Sequence, residues 1–370
     1  MKDMSFAVAS YAQDGNMLYF SSQDNIGLYV LDMDTLEIQC KNIFPFHNFN
    51  ARFLWGKALR VERDIWFSPF YYMYPSLCYD IEKNAFSPIE HSETKERQPG
   101  HPYCYMARYG NKVYIFPIKE RQVLVYSQNK ELIKRVVLDI DADLLTMNAA
   151  VDKNKVYLPV SNSNGIIEFD METLLYSHFR IGTEDIQISN IIFIEGCLYF
   201  SSRNCAELYC YDPEKKVLTM KTIGNKGSQI DSLRYDGQNI WGTILYEDKI
   251  FKTDIQLGLV EWWDIPVQKC PLPDSCLWRK NASLNYRYMI DYGNSWYITS
   301  DYENAIYVFD RIENKFRNRI SICVSQDIEE VALLQVQMER FGIIKEDKDK
   351  DLKNYLEMIK MDRGDMIWKV

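Results

Sequence analysis

The chain contains 370 residues, of which 43 are Lys or Arg and 52 are Asp or Glu, for a formal net charge of −9. Phosphate backbones are bound by concentrated basic residues, and since no basic cluster is present we expect no nucleic-acid partner. No stretch approaches eighteen uncharged apolar residues and the first residues lack the apolar region of a signal peptide, so we expect no membrane partner and a cytoplasmic location.

A repeated unit organises most of the sequence. Its centre is an aromatic residue between apolar neighbours, and there are seven such centres: Tyr19, Trp66, Tyr114, Tyr157, Tyr199, Trp241 and Tyr297. They lie 47, 48, 43, 42, 42 and 56 residues apart. Thirteen residues after each centre, or fourteen in the second unit, comes an Asp in six units and Ser127 in the third. A period of this length is typical of blades, solenoids or arrays.

Each unit predicts four β-strands. The units carry apolar runs of four to seven residues bounded by Gly, Asn, Asp and Ser, which is the pattern of strands joined by turns. The inner runs are apolar at successive positions, so both faces of each sheet must be covered. Stacked blades meet this requirement. The sequence therefore predicts an all-β, seven-bladed β-propeller with four-stranded blades in residues 1–324.

Taken in order, the first unit predicts strands at 6–11, 17–21, 27–31 and 36–41. Longer segments precede the second and third units, and an insertion with three prolines precedes the seventh. The seventh unit, 287–323, contains all four runs. We therefore expect the ring to close without a strand borrowed from the N-terminus.

The periodicity changes after residue 324. Apolar residues fall at helical spacing from 327 to 341, with Gly342 as a stop signal, and again between 349 and 362. Residues 325–370 are therefore predicted to form a short helical extension. Docking on the propeller is expected, and binding of a partner by this extension is the alternative.

The repeated Asp has a structural explanation. Asp favours the first position of a type I turn and Pro the second, as in the pair Asp212 and Pro213. We interpret the Asp series as turn residues, because a set of ligands at separated turns could not converge on one ion.

The units resemble the repeats of bacterial propellers that read Gly-Asn-x-Leu-Tyr-Phe and later Leu-Tyr-x-Tyr-Asp, as in the segments from Gly15 to Asp32 and from Gly196 to Asp212. The resemblance covers residues 5–324 and implies the seven-bladed fold and a bacterial protein. It matches none of the specialised propeller classes. Because this superfamily includes hydrolases, lyases, dehydrogenases and binding scaffolds, the resemblance implies a fold without selecting a function.

The spacing of the cysteines and histidines does not indicate a cofactor or metal site. The nine cysteines show no zinc-type spacing, and we expect reduced thiols, with a bridge between Cys270 and Cys276 as the alternative. The four histidines do not form a metal-binding pair with a carboxylate. We predict no metal and no cofactor.

The mouth of the central channel is the expected binding site. The residue nine positions before each central aromatic residue samples the start of the innermost strand, and all seven can form hydrogen bonds: Ser10, Lys57, Tyr105, Asn148, Asn190, Ser232 and Tyr288. A position that packs between blades would be apolar, so this ring predicts a solvated, ligand-sized mouth. A water-filled channel lined by satisfied polar groups is the alternative.

Longer loops add basic and aromatic side chains around this ring: Arg52, Arg203, Arg234, Arg287 and Tyr72. Arginine together with aromatic residues suits carbohydrate, carboxylate or peptide recognition. We predict a monomeric, non-catalytic recognition scaffold that binds a glycan, peptide or partner protein at the mouth. The alternative is a hydrolase or lyase acting there on a saccharide or similar molecule, with His47 and His101, or with two of the acids Asp231, Glu247, Asp248, Asp301 and Glu303.

Overall fold

Seven antiparallel sheets account for the regular structure. The computed structural model describes residues 8–22, 27–45, 55–69, 75–89, 103–141, 143–144, 149–183, 186–203, 205–245, 247–267, 288–300 and 304–322. In these segments each sheet has four strands that follow one another in the chain and pair in chain order. The predicted all-β, seven-bladed β-propeller with four-stranded blades is confirmed. The helices predicted within residues 325–370 lie outside the described segments.

The first three blades match the first three sequence units. Blade one contains β1 (Val8–Asp14), β2 (Met17–Ser22), β3 (Gly27–Asp32) and β4 (Ile38–Ile43). Blade two contains β5 (Trp55–Val61), β6 (Asp64–Pro69), β7 (Ser76–Asp80) and β8 (Ala85–Ile89). Blade three contains β9 (Tyr103–Tyr109), β10 (Lys112–Pro117), β11 (Gln122–Ser127) and β12 (Leu132–Val137).

The remaining four blades follow the same order. Blade four contains β13 (Ala150–Asp152), β14 (Lys155–Pro159), β15 (Gly165–Asp170) and β16 (Tyr176–Arg180). Blade five contains β17 (Ile188–Ile194), β18 (Cys197–Ser202), β19 (Glu207–Asp212) and β20 (Val217–Thr222). Blade six contains β21 (Gln229–Tyr235), β22 (Asn239–Leu245), β23 (Lys249–Asp254) and β24 (Val260–Asp264). Blade seven contains β25 (Tyr288–Tyr292), β26 (Ser295–Thr299), β27 (Ala305–Asp310) and β28 (Lys315–Ser321). No helix within the described segments is long and apolar enough to cross a bilayer.

The second strand of every blade is buried on both faces. In β18, for example, all five residues from Leu198 to Ser202 are buried, although successive side chains of a strand point to opposite faces. The reason is the stacking of each sheet between two neighbours. This burial explains why the apolar runs in the sequence do not alternate with polar residues.

The hydrophobic core is divided into seven clusters, one at each interface between neighbouring blades. The cluster that closes the ring joins Leu18 and Phe20 of blade one to Ile306 and Val308 of blade seven. Blades one and seven each form their four strands from consecutive chain segments. Closure by side-chain packing, without strand exchange among the described residues, is therefore confirmed.

The central tyrosines link neighbouring blades. The Tyr297 hydroxyl of blade seven donates to the Met33 carbonyl of blade one at 2.8 Å, and the Tyr199 hydroxyl of blade five donates to the Ile255 carbonyl of blade six at 2.8 Å. Tyr114 makes the same type of bond from blade three to the Met171 carbonyl of blade four. In all three cases the acceptor directly follows the repeated Asp of the next blade. The repeat therefore fixes one blade against another, as well as building each blade.

The repeated Asp residues hold the turns between the third and fourth strands. Asp212 accepts hydrogen bonds from the backbone N–H groups of Glu214 and Lys215, at 3.0 and 2.9 Å. Equivalent bonds are made by Asp32, Asp80, Asp170, Asp254 and Asp310. The Ser127 hydroxyl accepts from the backbone of Glu131 in the third blade. The interpretation of this series as turn residues is confirmed.

Each of these turns also contains a residue in the left-handed region, a feature that the sequence analysis missed. The seven residues are Leu36, Asn84, Lys130, Leu174, Lys216, Leu257 and Asn314, with φ between 52° and 70°. The turn in blade one therefore includes Leu36, and β4 begins at Ile38 rather than at the predicted residue 36. Residues other than Gly and Asn are strained in this backbone conformation.

Candidate functional site

β-Bulges shape the start of the innermost strands. Five of the seven innermost strands lose regular register with the second strand of their blade: β1, β5, β9, β17 and β21. In each case the irregularity lies at or beside the position nine residues before the central aromatic residue. A bulge turns a strand and re-aims its side chains. The predicted ring positions are therefore structurally distinct, and the repeat builds this distinction into most blades.

Three of the predicted ring residues are buried and bonded within the wall of the channel. Ser10 and Ser232 pair with the hydroxyls of Ser21 and Thr243, both at 2.8 Å. Their partners occupy one repeat position, two residues after the central aromatic residue. Such buried pairs stabilise the bulged strand against its neighbour.

Asn190, the third of these residues, joins two blades. Its side-chain amide donates to the Ser201 hydroxyl at 3.2 Å and to the Ile230 carbonyl of blade six at 2.9 Å. Ser10, Ser232 and Asn190 are therefore integrated into the strands that surround the channel.

The other described ring residues are Lys57, Tyr105 and Tyr288. With Tyr11 and Arg234 they form a second group, which we call the channel cluster. The Lys57 ammonium lies 5.4 Å from the ring centroid of Tyr11 and 5.8 Å from that of Tyr105. The Tyr288 ring contacts Tyr11 edge-on with centroids 5.0 Å apart, and its hydroxyl donates to the Ala9 carbonyl at 2.6 Å. These contacts combine two cations with three phenols.

The channel cluster lies close to the axis of the ring. Its members come from blades one, two, three, six and seven. Arg234 of blade six reaches Tyr11 of blade one, although blade seven lies between them. Side chains from blades that are not adjacent can meet only where the innermost strands converge. The cluster therefore occupies the central channel.

Arg234 is held rigidly by three hydrogen bonds. Its Nε donates to the Met289 carbonyl and its Nη1 to the Leu233 carbonyl, both at 2.8 Å, and its Nη2 donates to the Tyr11 hydroxyl at 3.2 Å. The guanidinium therefore bridges blades six, seven and one. A guanidinium fixed by the backbone loses little conformational entropy when it binds a further group.

Positive charge dominates the environment of Tyr11. Burial raises the pKa of this phenol, but the charges of Arg234 and Lys57 and the hydrogen bond from Arg234 outweigh burial, so the Tyr11 pKa lies below its ordinary value of 10.0. Burial raises the pKa of Tyr105 to about 12 despite the opposing charge of Arg234. Tyr105 thus remains a protonated donor near neutral pH, and the two cations favour negative charge at this point of the channel.

Tyr11 was not among the predicted site residues, although the sequence carries a signal for it. One residue after the ring position, the seven units contain Tyr11, Ala58, Met106, Ala149, Ile191, Leu233 and Met289. Two residues after it, they contain Ala12, Leu59, Ala107, Ala150, Ile192, Arg234 and Ile290. Tyr11 and Arg234 are the polar exceptions at positions that otherwise pack between blades. Comparison of the units position by position identifies each of them as an exception.

The other predicted binding residues lie elsewhere or outside the described segments. Arg203 follows β18, and its backbone N–H donates to the Gln187 carbonyl at 2.9 Å, with no contact to the channel cluster among the described residues. The structure does not describe Arg52, Tyr72, Asn148 and Arg287.

Glu247 and His178 lie outside the channel cluster. Glu247 accepts hydrogen bonds from the Ser228 hydroxyl and from the Asn225 backbone at 3.0 Å. Burial raises the Glu247 pKa, but these bonds outweigh burial and hold it below its ordinary value of 4.5. His178 is exposed on β16, the outermost strand of blade four. His47, His91 and His101, with Asp301 and Glu303, lie outside the described segments. In the described part of the chain no group of three His, Cys, Asp or Glu side chains could hold a metal ion.

Comparisons of the sequence show no relatives. No protein-family model matches the chain, and no curated protein matches it.

Comparison of the structure shows many propellers. Virginiamycin B lyase from Staphylococcus aureus, solved as a catalytically inactive variant with quinupristin, superposes with a TM-score of 0.62 at 11% identity, over 81% of this chain and 94% of the lyase. The extracellular domain of a putative one-component system from B. thetaiotaomicron superposes with a TM-score of 0.56 at 13% identity. The match covers 82% of this chain and 38% of the other. The computationally designed Ika8 protein superposes with a TM-score of 0.54 at 10% identity, over 86% of this chain and 88% of the designed protein. At these identities the similarity extends to the fold alone.

Proposed function

We propose that this protein is a recognition scaffold that binds a polar ligand, a glycan, peptide or partner protein, at the mouth of its central channel. The channel cluster carries the proposal. Arg234 and Lys57 come from different blades and both contact Tyr11, beside Tyr105 and Tyr288. Arginine and tyrosine are the side chains most enriched in sites of recognition. Monomeric state and cytoplasmic location stay predictions.

The chemistry of Tyr105 and Arg234 suits binding more than proton transfer. A general acid or base is most effective with a pKa near the operating pH. Burial raises the Tyr105 pKa to about 12, and a guanidinium does not release its proton in proteins. These groups donate hydrogen bonds and carry fixed charge. They are therefore suited to hold a ligand in one orientation.

A screen of the wild-type protein against a glycan array and a library of polar metabolites tests the proposal. Hits are then measured by isothermal titration calorimetry with Arg234→Ala and with a matched control, Arg63→Ala. Arg63 is exposed in the turn between β5 and β6, at the opposite end of these strands, and pairs with Glu82 at 3.0 Å. Binding should weaken in Arg234→Ala and stay unchanged in Arg63→Ala. Equal binding by all three proteins would exclude the channel as the binding site.

An enzyme acting at the same mouth is the second candidate. The observation in its favour is the similarity of fold to virginiamycin B lyase, at 11% identity. Incubation with the ligands found by the screen, followed by mass spectrometry, distinguishes the two functions. Cleaved or eliminated products that disappear in His47→Ala or His101→Ala would favour the enzyme. Recovery of the intact ligand after prolonged incubation would favour the scaffold.

A further inference from the structure

We propose that the ligand of the channel cluster is a sugar acid, and that its carboxylate binds between Arg234, Tyr11 and Tyr105. This inference rests on the proposed function and adds the chemical class of the ligand. Its basis is a surplus of hydrogen-bond donors at one point near the axis.

Arg234 has more hydrogen-bond donors than the described residues accept. A guanidinium carries five N–H groups, and three of those on Arg234 bond to Met289, Leu233 and Tyr11. One N–H on Nη1 and one on Nη2 remain, and the described residues supply no acceptor for either. N–H groups on the two terminal nitrogens of a guanidinium can pair with both oxygens of a carboxylate. The backbone bonds of Arg234 hold the guanidinium in place for such a pair.

Two phenols add further donors. The Tyr11 hydroxyl oxygen accepts from Arg234, so its own O–H can donate to another group, and none of the described residues accepts this bond. The Tyr105 hydroxyl likewise has no hydrogen-bond partner in the part of the chain that the structure describes. Its ring lies 5.8 Å from the Lys57 ammonium, which also lies 5.4 Å from the Tyr11 ring. The donors therefore cluster around one small region.

The ligand that satisfies these groups is an acceptor with negative charge. An ionised carboxylate is acceptor-only and offers four lone-pair sites on two oxygens. Arg234 and Lys57 would attract it and the phenols would complete its hydrogen bonds. A neutral hydroxyl would gain fewer charge-assisted bonds from the same side chains.

The rest of the ligand must fit among aromatic rings. Tyr11, Tyr105 and Tyr288 offer apolar ring faces and edges, with the Tyr11 and Tyr288 centroids 5.0 Å apart. The Lys57 ammonium lies near two of these rings, so a ligand whose carboxylate pairs with the cations also contacts aromatic side chains. A pyranose has an apolar C–H face and equatorial hydroxyls, and a sugar acid adds the carboxylate that the donors require.

Calorimetric titration with glucuronate and galacturonate, each compared with its methyl ester, tests this inference. The ester keeps the sugar ring and removes the charge. We expect the acids to bind and the esters to bind about tenfold to a hundredfold more weakly, which is the usual range for one charge-assisted pair. The affinity for the acids should fall as the salt concentration rises from 10 to 300 mM, because the ions screen partly exposed charges.

Variants assign the effect to the cluster. Arg234→Ala and Lys57→Met should each weaken binding of the acids by about tenfold or more, and the esters should be affected less. Arg63→Ala and Lys83→Met, at exposed turns of blade two, should bind like wild type. Since Arg234→Ala leaves three acceptors without their donor, circular dichroism and thermal unfolding establish that it folds. Arg234→Lys keeps the positive charge and removes the two-pronged guanidinium. It should therefore also bind the acids more weakly than wild type.

The outcomes separate the two proposals. Equal affinity for acids and esters would overturn the sugar-acid inference and leave the scaffold proposal standing. So would binding of inorganic phosphate, acetate or an acidic peptide in preference to both sugar acids. A wild-type protein that binds nothing in these titrations or in the wider screen would overturn both.

Discussion

Two tyrosines at the closure between blades seven and one illustrate two uses of the same side chain. Tyr297 is buried, and its hydroxyl donates to the Met33 carbonyl, while burial raises its pKa to about 12. Tyr11 is only half-buried, accepts a hydrogen bond from Arg234, and has a lowered pKa. Tyr297 occupies a position that is aromatic in all seven units, whereas Tyr11 replaces an apolar residue. Positions shared by the units build the propeller, and positions that differ supply the candidate site.

The largest effect should come from removing a shared aromatic residue. Trp66 is fully buried between blades two and three and packs against Tyr126 with centroids 6.0 Å apart. Trp66→Ala should reduce the free energy of unfolding by about 3–5 kcal/mol, because it leaves a cavity in the core. Urea unfolding measures the change, and Leu259→Ala, at a side chain that is 77% exposed, should change it by less than about 0.5 kcal/mol. Similar losses in both variants would contradict the division into framework and site.

The two classes of tyrosine should separate in a pH titration. In protein with 13C-labelled tyrosine side chains, NMR should show one phenol with a pKa below 10.0, absent in Tyr11→Phe, while Tyr297 titrates at about 12. In Arg234→Ala this low pKa should rise, because the positive charge that favours the phenolate is removed. If Tyr11→Phe removed no low-pKa signal, the charges of the cluster would not act on Tyr11 as described.

Ring closure should be as strong as any other interface. Tyr297→Phe removes the bond to Met33 across the closure, and Tyr199→Phe removes the equivalent bond from blade five to blade six. Each should lower the free energy of unfolding by about 0.5–1.5 kcal/mol. Denaturant titrations of the two variants provide the comparison. A much larger loss in Tyr297→Phe would identify the closure as the weakest interface of the ring.

Acid should weaken the turns. Hydrogen bonds from the backbone of Thr173 and Glu172 hold the Asp170 pKa below 3.8. A carboxylate whose pKa is lowered in the folded state stabilises the protein above pH 3.8, and this contribution is lost as the pH falls through the folded-state pKa. Between pH 5 and 2 the free energy of unfolding should fall less in Asp170→Asn than in wild type, by less than about 1 kcal/mol. Thermal unfolding of wild type and Asp170→Asn at each pH measures the difference.

The smallest effect should come from a strained turn residue. Lys216 has φ of 55°, a conformation that favours Gly. Lys216→Gly should stabilise the protein by about 0.5 kcal/mol, because the strain relieved exceeds the entropy that Gly loses on folding. Glu214→Gly, two residues earlier and outside the left-handed region, should destabilise it by a similar amount. Thermal denaturation compares the two variants. Equal destabilisation of both would contradict the left-handed conformation of Lys216.

Part of the candidate site could be read from the sequence. The ring position drew attention to Lys57, Tyr105 and Tyr288, which do belong to the channel cluster. It did not distinguish them from Ser10 and Ser232, whose hydroxyls are consumed by buried pairs with Ser21 and Thr243. All five can form hydrogen bonds, and only the partner on the neighbouring strand decides whether that capacity is available to a ligand. Irregular register occurs beside ring residues of both kinds and does not decide the choice.

The sequence by itself determined the number of blades, the four strands of each and the role of the repeated Asp. These features are local or periodic: a turn depends on residues two to four apart, and a stacked sheet requires the same apolar pattern in every unit. Only the tertiary structure brought Arg234 to Tyr11, which lie 223 residues apart in the chain. Their contact depends on closure of the ring, because the innermost strands of blades six and one approach each other only when all seven blades surround one axis.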